Sequence, residues 1–388
     1  MVSRERVKLA LNHQEPDRVP IDLGGSPGNS GIAKKAHEKL LEHLGIKGEE
    51  AEVYDVFQQL VIPDEQILQK FDVDVIGIRS NSPASWKLNI TEDKDNYYYT
   101  DEWGIKLKMP KGYGYYFDMV EHPLSGLDID SLKDYQWPDP HDSGRKEGLK
   151  EYVKHLYENT GYALFFNPPC AGIFEQSTFL RGHENFYIDL ITDPGLAEAI
   201  MDKMVEFYIG FWEEMLSITG KYIQVVKMGD DLGTQKAPII SPELYKKYVK
   251  PREMEVFSFI KQHTDAKLYF HSCGAIYDLI PDFIELGVDV LNPVQVSANG
   301  MDTKKLKHEF GDRLSFWGAI DTQKILPFGQ PKDVEFEVKK RIEDLAPGGG
   351  YVLSSVHNIQ ANVPPENIVA MFEAAKKYGK YPIIPKGK

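Results

Sequence analysis

Near residue 270 the chain reads Phe270-His271-Ser272-Cys273-Gly274, an apolar run that ends in two side chains able to bind a metal. In an extended chain residues i and i+2 point to the same side, so His271 and Cys273 can offer an imidazole nitrogen and a thiolate to one ion. Zinc accepts such a mixed set, and a catalytic zinc keeps one position open. The same triplet also fits a buried cysteine acting as a small hydrophobe beside a hydrogen-bonded histidine. His357, in Val356-His357-Asn358, follows another apolar run and offers either a third ligand or an acid/base group that titrates near neutrality. Gly229-Asp230-Asp231-Leu232-Gly233 supplies paired carboxylates that could orient a ligand histidine, complete a metal site or share a proton. Asp321, after Trp317-Gly318-Ala319-Ile320, adds one more carboxylate. Each aspartate could instead cap a helix.

These residues form one site only if they end neighbouring strands. Eight short, mainly apolar runs read as strands buried on both faces: residues 19–23, 73–78, 163–167, 223–229, 267–271, 289–294, 314–319 and 351–355. Helical patterns lie between most of them: 184–201 with a break at Asp193-Pro194, 242–262, 276–286 stopping at Gly287, and 333–345 ahead of Pro347. Eight strands with intervening helices predict an α/β fold, a single (β/α)8 TIM barrel over residues 1–388. In that fold the C-terminal strand ends converge, which puts His271, Cys273, His357, Asp230, Asp231 and Asp321 on one rim. Arg79 and Asn81 follow the second run, Asn167 ends the third, and Glu175 and Gln176 open the helix beyond it. These are candidates for binding polar groups of a substrate. Residues 85–125 break the alternation. Tyr97-Tyr98-Tyr99-Thr100-Asp101-Glu102-Trp103, with further runs at 106–109 and 112–119, predicts an antiparallel β insertion after the second strand, covering one side of the mouth.

Composition removes other classes. Lys plus Arg total 45 against 59 Asp plus Glu, a net charge of −14 that repels nucleic acid. The basic stretches Lys304-Lys305-Leu306-Lys307 and Lys376-Lys377 sit in helical patterns and read as solvated faces. Two cysteines, Cys170 and Cys273, are too few for a disulfide framework and fit a reducing compartment. No apolar stretch is long enough to span a membrane, and Met1-Val2-Ser3-Arg4-Glu5-Arg6-Val7 has no signal-peptide core behind it. The expectation is a cytoplasmic protein with no membrane partner. Gly348-Gly349-Gly350 precedes a strand instead of opening a helix, and there is no Gly-x-Gly-x-x-Gly fingerprint.

The ordered series of strand-end motifs resembles the uroporphyrinogen decarboxylase superfamily, including its cobalamin-linked zinc methyltransferase branch. The resemblance runs from Arg4-Glu5-Arg6-Val7 and Glu15-Pro16-Asp17-Arg18-Val19-Pro20, through 270–274 and 317–321, to Val356-His357-Asn358-Ile359 and Pro364-Pro365-Glu366-Asn367. It implies a (β/α)8 barrel independently of the strand pattern. The decarboxylases carry an arginine-rich loop after the first strand for substrate carboxylates. Here that loop reads Leu23-Gly24-Gly25-Ser26-Pro27-Gly28, without a cation, and Arg79-Ser80-Asn81 stands where an aspartate is expected. The methyltransferase branch carries His-x-Cys after strand five and another cysteine after strand eight as zinc ligands. His271 and Cys273 match, whereas His357 replaces the second cysteine, giving a more electrophilic metal suited to methyl donors such as methoxy groups.

The resemblance thus implies zinc held by His271, Cys273 and His357, with Asp230, Asp231 and Asp321 orienting ligands or moving protons. The reaction expected is methyl transfer between a small-molecule donor or acceptor and a corrinoid. Neither a cobalamin domain nor a linker to one is read in the sequence, so the cobalamin is expected on a separate corrinoid protein. Tyr113, Tyr115 and Tyr116 of the insertion are candidate contacts for it, or pack the insertion onto the barrel. The alternatives are a metal-free decarboxylase acting on a carboxylated tetrapyrrole and a non-catalytic accessory protein of a corrinoid complex.

Overall fold

The computed structural model describes residues 1–26, 28–48 and 51–384. Its centre is a seven-stranded parallel sheet formed by β1 (Val75–Arg79), β2 (Ala163–Asn167), β3 (Val225–Gly229), β4 (Lys267–His271), β5 (Val290–Asn292), β6 (Ser315–Ile320) and β7 (Tyr351–Ser355). The strands are hydrogen-bonded in chain order and each neighbouring pair is parallel, as strand–helix–strand crossovers of one hand produce. β5 is shorter than the apolar run at 289–294 because Pro293 has no N–H to donate and Val294 turns to a φ of 54°.

The run at 19–23 differs from expectation. It makes one parallel bridge, Ile21 to Leu353 of β7, instead of a strand. Pro20 lacks an N–H, and the Ile21 N–H donates to the Asp74 carboxylate at 2.8 Å instead of to a backbone carbonyl. On its other side, the Asp74 N–H donates to the Ile21 carbonyl at 2.8 Å, one residue ahead of β1. The segment therefore touches both edge strands of the sheet. Asp74 is wholly buried and takes Arg6 and Arg18 at 2.7 Å each, while Arg6 also reaches Asp17 at 2.7 Å. The arginines of the opening motifs thus clamp this seam.

Val75, Ala163, Phe165, Val225, Tyr269, Val290, Trp317 and Val352 form one interior cluster, joined by Val7 and Leu11 from the first helix, α1 (Ser3–Leu11). Phe165, Tyr269 and Trp317 meet edge to face at centroid separations of 4.8, 5.5 and 5.6 Å, which fills the interior below the site. The alternate side chains, such as Val226, Met228, Leu268 and Phe270, pack outward against the helices. The helical stretch expected at 184–201 splits at Asp193, whose side chain caps a new helix with Pro194 in its first turn.

The β insertion between β1 and β2 is an antiparallel sheet of Thr91–Glu92, Asn96–Thr100, Lys106–Pro110 and Asp118–Glu121. A second small sheet, Ile32–Ala33, Val53–Asp55 and Leu60–Val61, was not anticipated, since strands of two or three residues show no alternation. The Phe117 N–H donates to the Phe57 carbonyl at 2.9 Å, joining the insertion to this second sheet's loop. Among the described residues, no helix is long and apolar enough to cross a membrane.

Candidate metal centre

His271 ends β4 with Cys273 two residues on, and His357 follows β7 by two. One ligand atom from each of the three lies within 4.8 Å of the others. The Cys273 Sγ stands 3.4 Å from the His271 Nε2, against roughly 3.5 Å expected for nitrogen and sulfur on one tetrahedral zinc. The residues present therefore fit a zinc ion.

Neighbouring strands set the histidine's tautomer. The Asn292 Nδ2 at the end of β5 donates to the Trp317 carbonyl at 2.9 Å, which leaves its Oδ1 to face the His271 Nδ1 at 2.5 Å. Nδ1 then carries the proton and Nε2 keeps its lone pair for a ligand bond. The Asn29 Nδ2 donates to that lone pair at 3.1 Å, a bond that a metal ion on Nε2 would displace, and the Asn29 Oδ1 accepts from the Ser26 Oγ. Burial, reinforced by Lys227, pushes the His271 imidazole down to about 3. Burial with His271 and Lys227 pushes His357 down to about 4. Both rings are neutral at pH 7, the form that binds metal. Burial, then Asp231 and Glu175, push the Cys273 thiol up, a balance that a dication on the sulfur reverses.

The carboxylates divide. The Asp231 Oδ1 accepts the Cys273 N–H at 2.9 Å and stands 3.4 Å from the His271 Nε2. Asp230 caps a helix other than the one that follows it in sequence. Its Oδ1 accepts the Glu175 N–H at 2.7 Å, in the first turn of the helix Ile173–Arg181. Gly172 permits this approach, because a Cβ there would meet the Gly229 carbonyl oxygen at 1.9 Å. Burial, then Asp231 and Asp230, push the Glu175 carboxyl well above the usual carboxylate range. Asp321 instead accepts the Gln323 and Lys324 N–H groups of its own loop at 2.7 and 3.3 Å.

Of the polar residues expected to touch substrate, Asn167 is buried. It donates at 3.2 Å to the carbonyls of Gly25, Ile78 and Phe165, while its Oδ1 has no donor. Gln176 is buried on the helix that carries Glu175. Arg79 donates to the Tyr54 carbonyl at 2.9 Å and lies over the Tyr54 ring, and Asn81 donates to the Glu147 carbonyl at 2.7 Å. The structure therefore gathers His271, Cys273, His357, Asp231 and Glu175, with Asp230 behind them. Arg79, Asn81 and Asp321 are tied into loops.

Sequence reasoning missed Asn292, Asn29, Asn358 and Lys227. Asn358 accepts the Gly31 N–H at 2.7 Å and donates to the Gly28 carbonyl and the Gln58 Oε1 at 2.9 and 2.8 Å, pinning the loop that holds Asn29. Asp22 pins the same loop from below. It accepts Gly25 N–H, Ser30 Oγ and Trp317 Nε1 at 2.7–2.8 Å, and burial raises its carboxyl to about 6. Lys227 had one readable signal, a lone cation within the apolar run Val225-Val226-Lys227-Met228.

A parallel α/β sheet with a metal-competent cluster at its C-terminal strand ends defines a class of barrel-like enzymes. Within that class the chain belongs to the uroporphyrinogen decarboxylase (URO-D) family, whose model matches residues 97–378. Over 190 residues it is 24% identical to a uroporphyrinogen decarboxylase of Geobacter sulfurreducens, an alignment covering 47% of this chain and 50% of that enzyme. The chain thus spans about half the length of the curated relative that it matches. A solved methyltransferase from Methanosarcina mazei is similar in fold, with a TM-score of 0.62 at 18% identity, covering 97% of this chain and 99% of that one.

Proposed function

We propose that this protein is a zinc-dependent methyltransferase that moves a methyl group between a small substrate and the cobalt of a corrinoid on a separate protein. The observation that carries this reading is the convergence of His271, Cys273 and His357, with the His271 Nε2 lone pair kept available by Asn292. These three side chains would hold the zinc. When bound, zinc supplies Lewis acidity toward the substrate heteroatom that exchanges the methyl group. Asn292 holds the His271 ring, and Asp231 fixes the backbone that presents the Cys273 sulfur. Glu175, whose carboxyl burial and two neighbouring aspartates push well above the usual carboxylate range, can pass a proton from its carboxyl oxygen to the heteroatom as the methyl group leaves. Asp230 positions Glu175 through its helix cap, and Asn167 and Gln176 contact substrate. Arg79, Asn81 and Asp321 act by shaping the surrounding loops. The chain is read as a single (β/α)8 domain in the cytoplasm, with residues 19–23 as its remaining stave.

Family membership favours a second reading, metal-free decarboxylation of a carboxylated tetrapyrrole. Such a substrate needs several cations, and residues 23–28 contain none. The experiment that separates the two mixes zinc-loaded enzyme, methyl donors and a reduced corrinoid protein. Methylcobalt absorbance is the expected result. No methylation across a broad donor panel, with zinc bound and cobalt reduced, would overturn methyl transfer.

A further inference from the structure

Val225 of β3 joins the interior cluster, whereas Val226 and Met228 pack outward. By alternation Lys227 faces the interior, one step above Val225 and toward the strand ends. A Cβ on Gly28 would lie 3.9 Å from the Lys227 Nζ, which places the ammonium under the loop that carries Asn29. Glu175, Asp231, Asp55 and Cys273 surround Lys227 electrostatically, yet among the described residues its Nζ makes neither an ion pair nor a hydrogen bond. Asp231 and Asp55 are engaged elsewhere. Asp231 takes the Cys273 N–H, Asp55 takes the Gln58 N–H at 3.0 Å, and burial pushes Asp55 and Glu175 toward their neutral forms. On the adjacent strand the pairs Val225–Phe165 and Val226–Phe166 bring Asn167 beside Lys227, and the buried Asn167 Oδ1 has no donor. Lys227 is only half-buried, so its ammonium, without a protein acceptor, faces open space beside the Asn167 Oδ1, a buried acceptor without a donor, and buried acceptors are rarely left so.

Building on the methyltransferase reading, we propose that Lys227 anchors an anionic substrate. It binds the carboxylate of a small methylated acid, with the Asn167 Oδ1 free to accept from a hydroxyl or N–H of the same molecule. A charge-assisted bond under the Asn29 loop would orient the methyl-bearing end toward the metal ligands.

The test uses zinc-loaded protein and two matched probe pairs: methoxyacetate with 2-methoxyethanol, and 4-methoxybenzoate with 4-methoxybenzyl alcohol. Binding is read by calorimetry and thermal shift, independently of turnover. Wild type is expected to bind at least one acid about tenfold more tightly than its alcohol. Lys227→Gln is expected to lose that preference while keeping its zinc content and its affinity for the alcohols. Equal binding of acids and alcohols by wild type, or no carboxylate stabilising wild type more than Lys227→Gln, overturns the anchor. Equal weakening of acids and alcohols in Lys227→Gln also overturns it, by assigning Lys227 a structural role. Acid preference in protein that takes up no zinc keeps the anchor and removes the zinc reading. Zinc-loaded enzyme that methylates cobalt without acid preference does the reverse.

Discussion

Asn292 uses both ends of its carboxamide, one on the Trp317 carbonyl and one on the His271 Nδ1, so the metal-facing lone pair depends on a residue that never touches metal. Removing such a partner typically costs about 10–100-fold in metal affinity. Asn292→Ala is therefore expected to weaken zinc by that factor in a chelator competition, with the fold retained. Cys273→Ser is expected to lose zinc more severely while the metal-free protein melts close to metal-free wild type, because the thiol lies on a strand-end loop. Clear loss of stability without metal would make Cys273 a core residue instead. His271, Cys273 and His357 were legible because their types and their positions after apolar runs both point to a ligand role. Asn292 and Asn29 were not, since an asparagine acquires this role only when another strand or loop places an imidazole against it. Asp230 shows the same limit. A capping function was readable, but the helix it caps begins 57 residues earlier in the chain, at Ile173.

Among the elements, the seam between β7 and β1 depends most on single side chains. Residues 19–23 contribute one bridge, and the Asp74 carboxylate takes the Ile21 N–H that a full strand would give to a backbone carbonyl. Asp74→Ala would leave Arg6 and Arg18 without their buried partner, at a cost of about 3–5 kcal/mol in denaturant unfolding. The seam also has a pH signature. Hydrogen bonding to Arg6 lowers the Asp17 carboxyl from its usual 3.8 to about 2. A depressed carboxylate stabilises the fold above its unfolded pKa, and that contribution disappears as pH falls through the folded one. Stability lost between about pH 4 and 2 should be smaller in Asp17→Asn, although Asp17 is partly exposed and its share is modest. The apolar run at 19–23 gave no hint of this arrangement, because Pro20 and a distant carboxylate decide it.

At the scale of the whole molecule, the insertion bears on how a large partner would reach the site. Tyr113 and Tyr115 are 76% and 50% exposed, whereas Tyr116 is half-buried. If the insertion receives the corrinoid protein, the double variant Tyr113→Ala/Tyr115→Ala should slow methylation of protein-bound cobalt. Free cobalamin should react at an unchanged rate, and equal slowing of both would count against docking there. The sheet order and the insertion were readable from apolar runs and aromatic alternation, whereas the small sheet through Val53–Asp55 was too short to register. The central claim, a metal held by His271, Cys273 and His357, is tested most directly by zinc K-edge X-ray absorption on the protein after zinc reconstitution. The account predicts about one zinc per chain, with two imidazole nitrogens and one sulfur in its coordination shell. Folded protein that takes up no zinc, or zinc with no sulfur ligand, would contradict it.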